Sequence, residues 1–301
     1  MSDFKTAVIG LGSMGLGIAN SAHAAGLTTV GCDLDPAACQ ALRDAGASVA
    51  DSPAAAADGA DALAVVVVNA DQTEHVLFSD GGAAEFMAEG SVVLGCSTMP
   101  SNFVIDLAAK LEQRGILYLD APISGGAIKA AEGALTVIAS GAPKAFARAK
   151  PFLDATAETV FDLGAEPGKA STMKMVNQLL AGVHIATAME AVALGIKAGL
   201  DAETVFNVIT KAAGNSWMFE NRVPHVVDGD YSPRSAVGIF VKDLGIVLGE
   251  GERLGMDLPI SKTAHERYLA AGDMGLIGED DAAVIKVYAE QAGITLPGDD
   301  A

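Results

Sequence analysis

Residues 6–33 hold the pattern that most narrows what this chain can fold into. A β-branched run at 6–10 leads straight into Gly10-Leu11-Gly12-Ser13-Met14-Gly15, which opens an Ala-rich helical stretch. A second run, 28–33, ends on Asp33, 18 residues beyond Gly15. Strand, glycine turn, helix and strand in so short a span make a βαβ unit, because parallel neighbours need a crossover. Alone, Gly-x-Gly-x-x-Gly is a weak signal that equally describes a glycine turn with no ligand. In this setting it predicts a dinucleotide site. Gly10 permits the tight turn, Gly12 lets backbone approach a pyrophosphate, and Gly15 lets helix pack on strand. The pyrophosphate then meets unpaired N–H groups at the helix start, so Gly10, Leu11, Gly12, Met14 and Gly15 are the expected cofactor contacts. Asp33 can accept hydrogen bonds from an adenosine ribose and repels a 2′-phosphate, and Leu34 and Asp35 offer no Arg to reverse that preference. NAD is expected over NADP. The other reading of Asp33 is a plain strand-end carboxylate.

The rest of the first half continues the alternation. Further strands are expected at 64–68, 92–96, 117–120, 136–139 and 159–162, with helical spacing at 36–45 and 102–114. Asp35 before Pro36 reads as an N-cap with proline at the first helical position. The wholly apolar run at 65–68 suits a strand buried on both faces of a parallel sheet. After Gly164 the pattern changes. Residues 169–198 contain no Pro and only Gly182 and Gly195, which predicts one helix of about 30 residues, roughly 45 Å long, with Gly199 as its terminator. Its residues are apolar nearly all the way round, so neighbours or a second subunit should cover it. More helical stretches follow at 202–213, 236–254, 261–271 and 282–291. The expected fold is α/β: an N-terminal Rossmann dinucleotide-binding domain, 1–165, and an all-α C-terminal domain, 166–301, joined by the long helix.

Charge and composition exclude several classes. Half the residues are hydrophobic and 19% charged, which rules out a disordered chain. Acidic residues outnumber basic ones 38 to 19, a net charge of −19 that makes nucleic acid and anionic lipid poor partners. A small anionic ligand would need a locally positive pocket. Cys32, Cys39 and Cys96 are odd in number and show no C-x-x-C spacing, so a reducing compartment is expected. His23, His75, His184, His225 and His265 lack the spacing of a zinc site, and no metal is expected. Asp3 and Lys5 break up the N-terminus, so no signal peptide is expected, and the longest uninterrupted apolar run, 62–68, is too short to span a bilayer. A soluble cytoplasmic protein fits these features.

Two further segments carry reactive groups. Asp120-Ala121-Pro122-Ile123-Ser124-Gly125-Gly126 follows a strand, and consecutive N–H groups in a Ser-Gly-Gly turn can hold an anion; an ordinary hairpin turn fits as well. Lys174, Asn177 and Gln178 share one face of the long helix, where a lysine more often snorkels to the surface.

Together GLGSMG, DAPISGG, KMVNQ at 174–178 and FVKDLG at 240–245 resemble the β-hydroxyacid dehydrogenase family, in family order and over essentially the whole chain. The resemblance implies a Rossmann domain followed by a helical domain, an active site between domains, and a homodimer or homotetramer. It makes Lys174 the catalytic group and gives the carboxylate of a small anionic hydroxy acid to Ser124, Gly125 and Gly126. Asn177 would hydrogen-bond the substrate. Thr98 and Lys242 would contact the cofactor, Asn69 would line its adenosine and ribose side, and Asp243 would orient either lysine or the substrate. Oxidising an alcohol needs a base for the hydroxyl proton. A lysine serves once burial and a nearby nicotinamide cation favour its neutral form; in reverse its ammonium stabilises the alkoxide.

A narrower likeness, in GAEPG at 164–168, QLLAGVHIA at 178–186, residues 212–231 and GITLPG at 293–298, is to the family's sugar-acid branch. It implies oxidation of a four-carbon polyhydroxy acid at C2, with 3-hydroxyisobutyrate or tartronate semialdehyde chemistry as the alternative. Asn215, Ser216, Trp217, Glu220 and Asn221 form a polar cluster able to bind extra hydroxyls, or else an interhelical loop packed by Trp217. Imine reduction and a non-catalytic NAD-binding role on the same fold fit less well, given Lys174 and the acidic charge.

Overall fold

A computed structural model describes residues 3–298. The chain divides into two compact units, Met1–Lys174 and Met175–Ala301. In the first, β1 (Lys5–Ile9), α1 (Gly15–Ala24), β2 (Thr28–Cys32), α2 (Pro36–Asp44), β3 (Ser48–Val49) and α3 (Pro53–Ala57) come in order. Then follow β4 (Ala62–Val65), α4 (Ala70–Phe78), β5 (Val92–Gly95), α5 (Ser101–Glu112) and β6 (Leu117–Asp120). Next are β7 (Ile123–Ser124), α6 (Gly126–Ala131), β8 (Leu135–Ala139), α7 (Pro143–Thr156), β9 (Ala157–Asp162) and the start of α8 (Lys169–Lys197).

Strands β1 to β6 make one parallel sheet in the order β3-β2-β1-β4-β5-β6. Period-two alternation sorts its side chains. Val8, Ala62, Ala64, Val92 and Leu94 enter the core on one face, while Ala7, Ile9, Leu63, Val65 and Val93 enter the core on the other. Each fully buried Leu there contributes roughly 1.5–3 kcal/mol. Asp35 accepts from Ala37 N at 2.9 Å with Pro36 at the first turn, the expected cap of α2.

The sequence reading places β4 at 64–68, but it runs Ala62–Val65. The whole stretch 62–68 is apolar, so periodicity cannot locate its end. Pairing with β1 does, because β1 stops at Ile9 and Gly10 turns away with φ +93°. The strands expected at 136–139 and 159–162 lie in a separate sheet, β7-β8-β9, with β7 antiparallel and β9 parallel to β8. Pro122 ends the run after β6, since it has no N–H and offers only its carbonyl, to Ile138 N at 3.0 Å.

The second unit holds the rest of α8, then α9 (Ala202–Ile209), α10 (Trp217–Asp228), α11 (Val237–Leu254), α12 (Pro259–Asp273) and α13 (Ile285–Ala292). Ile185, Met189 and Val192 of α8 pack with Phe219 and Val223 of α10, Phe240 and Leu244 of α11, and Tyr268 of α12. Gly182 makes this possible. A Cβ there would stand 2.9 Å from Phe240 and 3.1 Å from Leu244, so only glycine lets α11 lie this close to α8. Tyr268 donates to the Gly182 carbonyl at 2.9 Å.

The long helix follows the sequence expectation closely, and Gly199 lies just beyond it with φ +92°. Met173, Val176, Leu180 and Leu194 leave one face of it exposed in the single chain. Length and apolar composition alone would also suit a membrane-crossing helix, although polar residues interrupt its apolar runs; Ile185, Met189 and Val192 nonetheless belong to the unit's core. Helix α10 is absent from the sequence reading because Pro224 lies inside it. Ser216 caps it, accepting from Phe219 N at 3.0 Å, and Gly229 closes it at φ +64°. Trp217 is 66% exposed, so it does not pack a loop.

Candidate active site

In a sheet of this order, the strand connections reverse between β1 and β4, and ligands bind beyond the carboxyl ends of strands at such a point. Gly10, Asp33, Asn69 and Thr98 follow β1, β2, β4 and β5, four adjacent strands, at that edge. Within the glycine turn, a Cβ on Gly15 would stand 1.7 Å from the Gly10 carbonyl oxygen, so helix and strand touch there. A Cβ on Gly12 would meet nothing within 4 Å, which leaves open space over the loop. No side chain caps α1. An open glycine facing uncapped helical N–H groups suits a dinucleotide's pyrophosphate.

The Asp33 carboxylate is already held in place. Oδ2 accepts from Leu11 N at 2.5 Å and Oδ1 from Asp35 N at 2.8 Å. Each oxygen keeps a lone pair for a ribose hydroxyl. Asn69 is the N-cap of α4, accepting from Gln72 N at 2.8 Å, so its side-chain oxygen has a structural task.

Ser124, Gly125 and Gly126 do not form a hairpin turn. Ser124 ends β7, Gly125 turns the chain with φ +135°, and Gly126 begins α6, whose first N–H groups no side chain caps. Lys174 reaches this strand. It is only 8% exposed, and its Nζ donates to the carbonyl of Ile123, beside Ser124, at 2.9 Å. A snorkelling surface lysine is therefore not what the structure contains.

One residue that organises this region was visible in the sequence only as the start of a motif. Asp120 is fully buried and anchors the start of α8 from a distant strand. Its Oδ2 accepts from Gly168 N at 3.0 Å, Ser171 N at 2.9 Å and Ser140 Oγ at 3.3 Å, and its Oδ1 accepts from Ser171 Oγ at 2.7 Å. Ser140 Oγ in turn accepts from Ala170 N at 3.0 Å. The first-turn N–H groups of α8 are thus satisfied by residues 30 to 51 positions away. Burial pushes the Asp120 carboxyl above its ordinary range, against the downward pull of these bonds. Lys174 lies one turn beyond Ser171.

In the second unit, Asn177 Nδ2 donates to Gln178 Oε1 at 2.9 Å, and Gln178 Nε2 donates to Asp243 Oδ2 at 2.5 Å. Lys242 Nζ lies 2.7 Å from Asp243 Oδ1. The two candidates Asn177 and Lys242 are therefore joined through Gln178 and the buried Asp243. In the 215–221 cluster Asn215 donates to Glu220 at 2.6 Å, Ser216 is spent as the α10 cap, and Asn221 accepts from Arg222. Behind it, Arg222 pairs with buried Asp281 at 2.5 Å and His225 with buried Asp280 at 2.8 Å. Among the described residues no group of three His, Cys, Asp or Glu side chains is placed to hold a metal ion.

Comparison with known proteins agrees with this architecture. Residues 5–164 match the NAD binding domain of 6-phosphogluconate dehydrogenase. Residues 168–288 match the NAD-binding domain of NADP-dependent 3-hydroxyisobutyrate dehydrogenase. The chain is 50% identical over 298 residues to an L-threonate dehydrogenase of Escherichia coli (strain K12), covering 99% of this chain and 98% of that one. An L-threonate dehydrogenase of Cupriavidus necator is 49% identical, with 97% of each chain covered. The crystal structure of a 3-hydroxyisobutyrate dehydrogenase from Salmonella typhimurium superposes with a TM-score of 0.90 at 51% identity, covering 95% of this chain and 100% of that one.

Proposed function

Because the chain belongs to the β-hydroxyacid dehydrogenase family, we propose that it oxidises the C2 hydroxyl of L-threonate to 2-oxo-tetronate with NAD as acceptor. The observation that carries the chemistry is Lys174, a buried amine aimed at the strand that presents Ser124. Near-half identity along the whole length to proteins named L-threonate dehydrogenase supports the substrate.

Bound NAD supplies the acceptor for the hydride that leaves C2. Lys174, in its neutral form, removes the hydroxyl proton, and the bond to the Ile123 carbonyl holds Nζ beside Ser124. In the reverse direction the ammonium returns the proton to the forming alkoxide. Ser124 and the backbone N–H groups of Gly125 and Gly126 bind the substrate carboxylate, which offsets the repulsion expected from a net charge of −19. Asn177 binds a substrate hydroxyl. Leu11, Gly12, Met14 and Asp33 hold the pyrophosphate and ribose, and Asn69, Thr98 and Lys242 complete the coenzyme contacts. We place the enzyme in the cytoplasm as a homodimer or homotetramer, with the exposed apolar face of α8 as the covered surface; its acidity argues against nucleic-acid or membrane partners.

The Salmonella structure favours 3-hydroxyisobutyrate as the second reading. A panel of C3–C5 hydroxy acids with NAD and NADP, on the native chain and on Lys174→Ala, separates the two. The expected result is the highest kcat/KM with L-threonate and NAD. Lys174→Ala should bind NAD normally yet lose about 10²–10⁴ in kcat. No turnover of any acid overturns the proposal, and a higher kcat/KM with 3-hydroxyisobutyrate replaces the substrate.

A further inference from the structure

Two neighbouring amides on α8 are oriented by one buried carboxylate. Asp243 is 1% exposed and, as an anion, accepts hydrogen bonds but gives none. Since Gln178 lies 2.5 Å from Asp243 Oδ2, the amide group it turns that way must be its NH2. Gln178 Oε1 then faces Asn177, and only Asn177 Nδ2 can meet it, at 2.9 Å. The Asn177 oxygen Oδ1 is what remains, and no donor among the described residues reaches it. The order of these three groups is forced from the carboxylate outward. Lys242 forms an ion pair with the other oxygen, its Nζ 2.7 Å from Asp243 Oδ1. Gly182, one turn beyond Gln178, allows α11 to bring Asp243 this close.

We infer that Gln178 and Asp243 are positioning residues that hold Asn177 with its carbonyl oxygen free to accept, so that Asn177 selects a substrate hydroxyl rather than a carboxylate or keto oxygen. The inference rests on the reading of Asn177 as a substrate contact. Within that set, the N–H groups of Gly125 and Gly126 only donate, Ser124 turns its hydroxyl either way, and Lys174 is occupied by the reacting hydroxyl. That hydroxyl has one proton, and the base takes it. The hydroxyl read by Asn177 is therefore a second one on the same substrate. An acid with a single hydroxyl leaves Oδ1 unmet, which is how a polar site rejects an analogue lacking the group. Asn177 Nδ2 retains a second hydrogen and can add a donor, but the fixed acceptor is the element that distinguishes polyhydroxy from monohydroxy acids.

The test compares L-threonate with 2-hydroxybutanoate, which keeps the four carbons and the C2 hydroxyl but lacks those at C3 and C4. Gln178→Leu should raise KM for L-threonate about tenfold while the inhibition constant of 2-hydroxybutanoate and the Kd for NAD stay within twofold. Equal weakening of both acids would mean general loosening and overturn the inference. A second readout needs no activity and no ligand: the side-chain amide protons of Asn177 and Gln178, followed by NMR, should exchange slowly and lose that protection in Asp243→Asn. Unprotected amides in the native protein overturn the relay even if L-threonate is a good substrate. Protected amides without L-threonate turnover leave the relay standing and reject the proposed function.

Discussion

Replacing Asp120 separates two things its carboxylate does: it occupies space and it accepts four hydrogen bonds. In Asp120→Ala the backbone N–H groups of Gly168 and Ser171 lose their acceptor in a site with no solvent access. Each orphaned group costs about 1–3 kcal/mol, roughly 2–6 kcal/mol together, partly offset by removing a charge that burial disfavours. Set against total stabilities of about 5–15 kcal/mol, that is a large fraction. Asp120→Asn should behave quite differently. Its one oxygen can take the place of Oδ2 and keep the Gly168, Ser171 and Ser140 donors, while its NH2 faces Ser171 Oγ, a hydroxyl that can turn and accept. The expected loss is about 1 kcal/mol.

Urea titration followed by circular dichroism should therefore place Asn close to the native protein and Ala more than about 2 kcal/mol below it. The same variants report on the base, since Lys174 follows Ser171 by one turn. If the anchored helix start holds Lys174 against the Ile123 carbonyl, Asp120→Ala lowers kcat while Asp120→Asn largely preserves it. Equal stability of the two variants, or a full-rate Ala variant, would refute the reasoning, because it would show that the start of α8 finds its acceptors elsewhere.

Three further outcomes follow from single side chains. Burial raises the Asp280 carboxyl, but hydrogen bonds from the His225 ring and from Arg234 N and Ala282 N, with the His225 charge, outweigh it and leave it below the ordinary range. Its contribution is present above the ordinary carboxylate pKa and disappears as pH falls through the lowered value, so Asp280→Asn should be less stable at pH 7 and lose less on acidification; parallel acid-unfolding curves would contradict this. Gly182→Ala gains about 1 kcal/mol of helix propensity yet places a methyl 2.9 Å from Phe240. A net loss of about 1–3 kcal/mol by thermal melting and a higher KM for L-threonate are expected, and a stabilised variant would argue against the close packing. Asp33→Ala should lower the NAD-to-NADP ratio of kcat/KM at least about tenfold by removing the charge that repels a 2′-phosphate; an unchanged ratio would place the discrimination elsewhere.

What the sequence made legible is what local spacing encodes. The glycine turn, the βαβ unit around it and the helix over 169–197 follow from patterns of a few residues, as does the shared face of Lys174, Asn177 and Gln178. Helix α10 escaped because Pro224 counts against a helix, although Ser216 and Gly229 marked both its ends. Asp120 to Ser171 and Gln178 to Asp243 span 51 and 65 residues, and no periodicity connects such pairs. Yet the sequence holds half of that information. A lone carboxylate at the end of Leu117-Tyr118-Leu119, followed by Ala and Pro, sits where water is scarce, and a buried carboxylate must be met by donors. The existence of a partner can thus be deduced from composition around one residue, while its identity depends on which helix start or amide the fold delivers. Buried carboxylates are accordingly positions where site geometry is set: here Asp120 on β6 anchors the start of the helix that carries the proposed base, and Asp243 on α11 holds Gln178, one turn beyond that base.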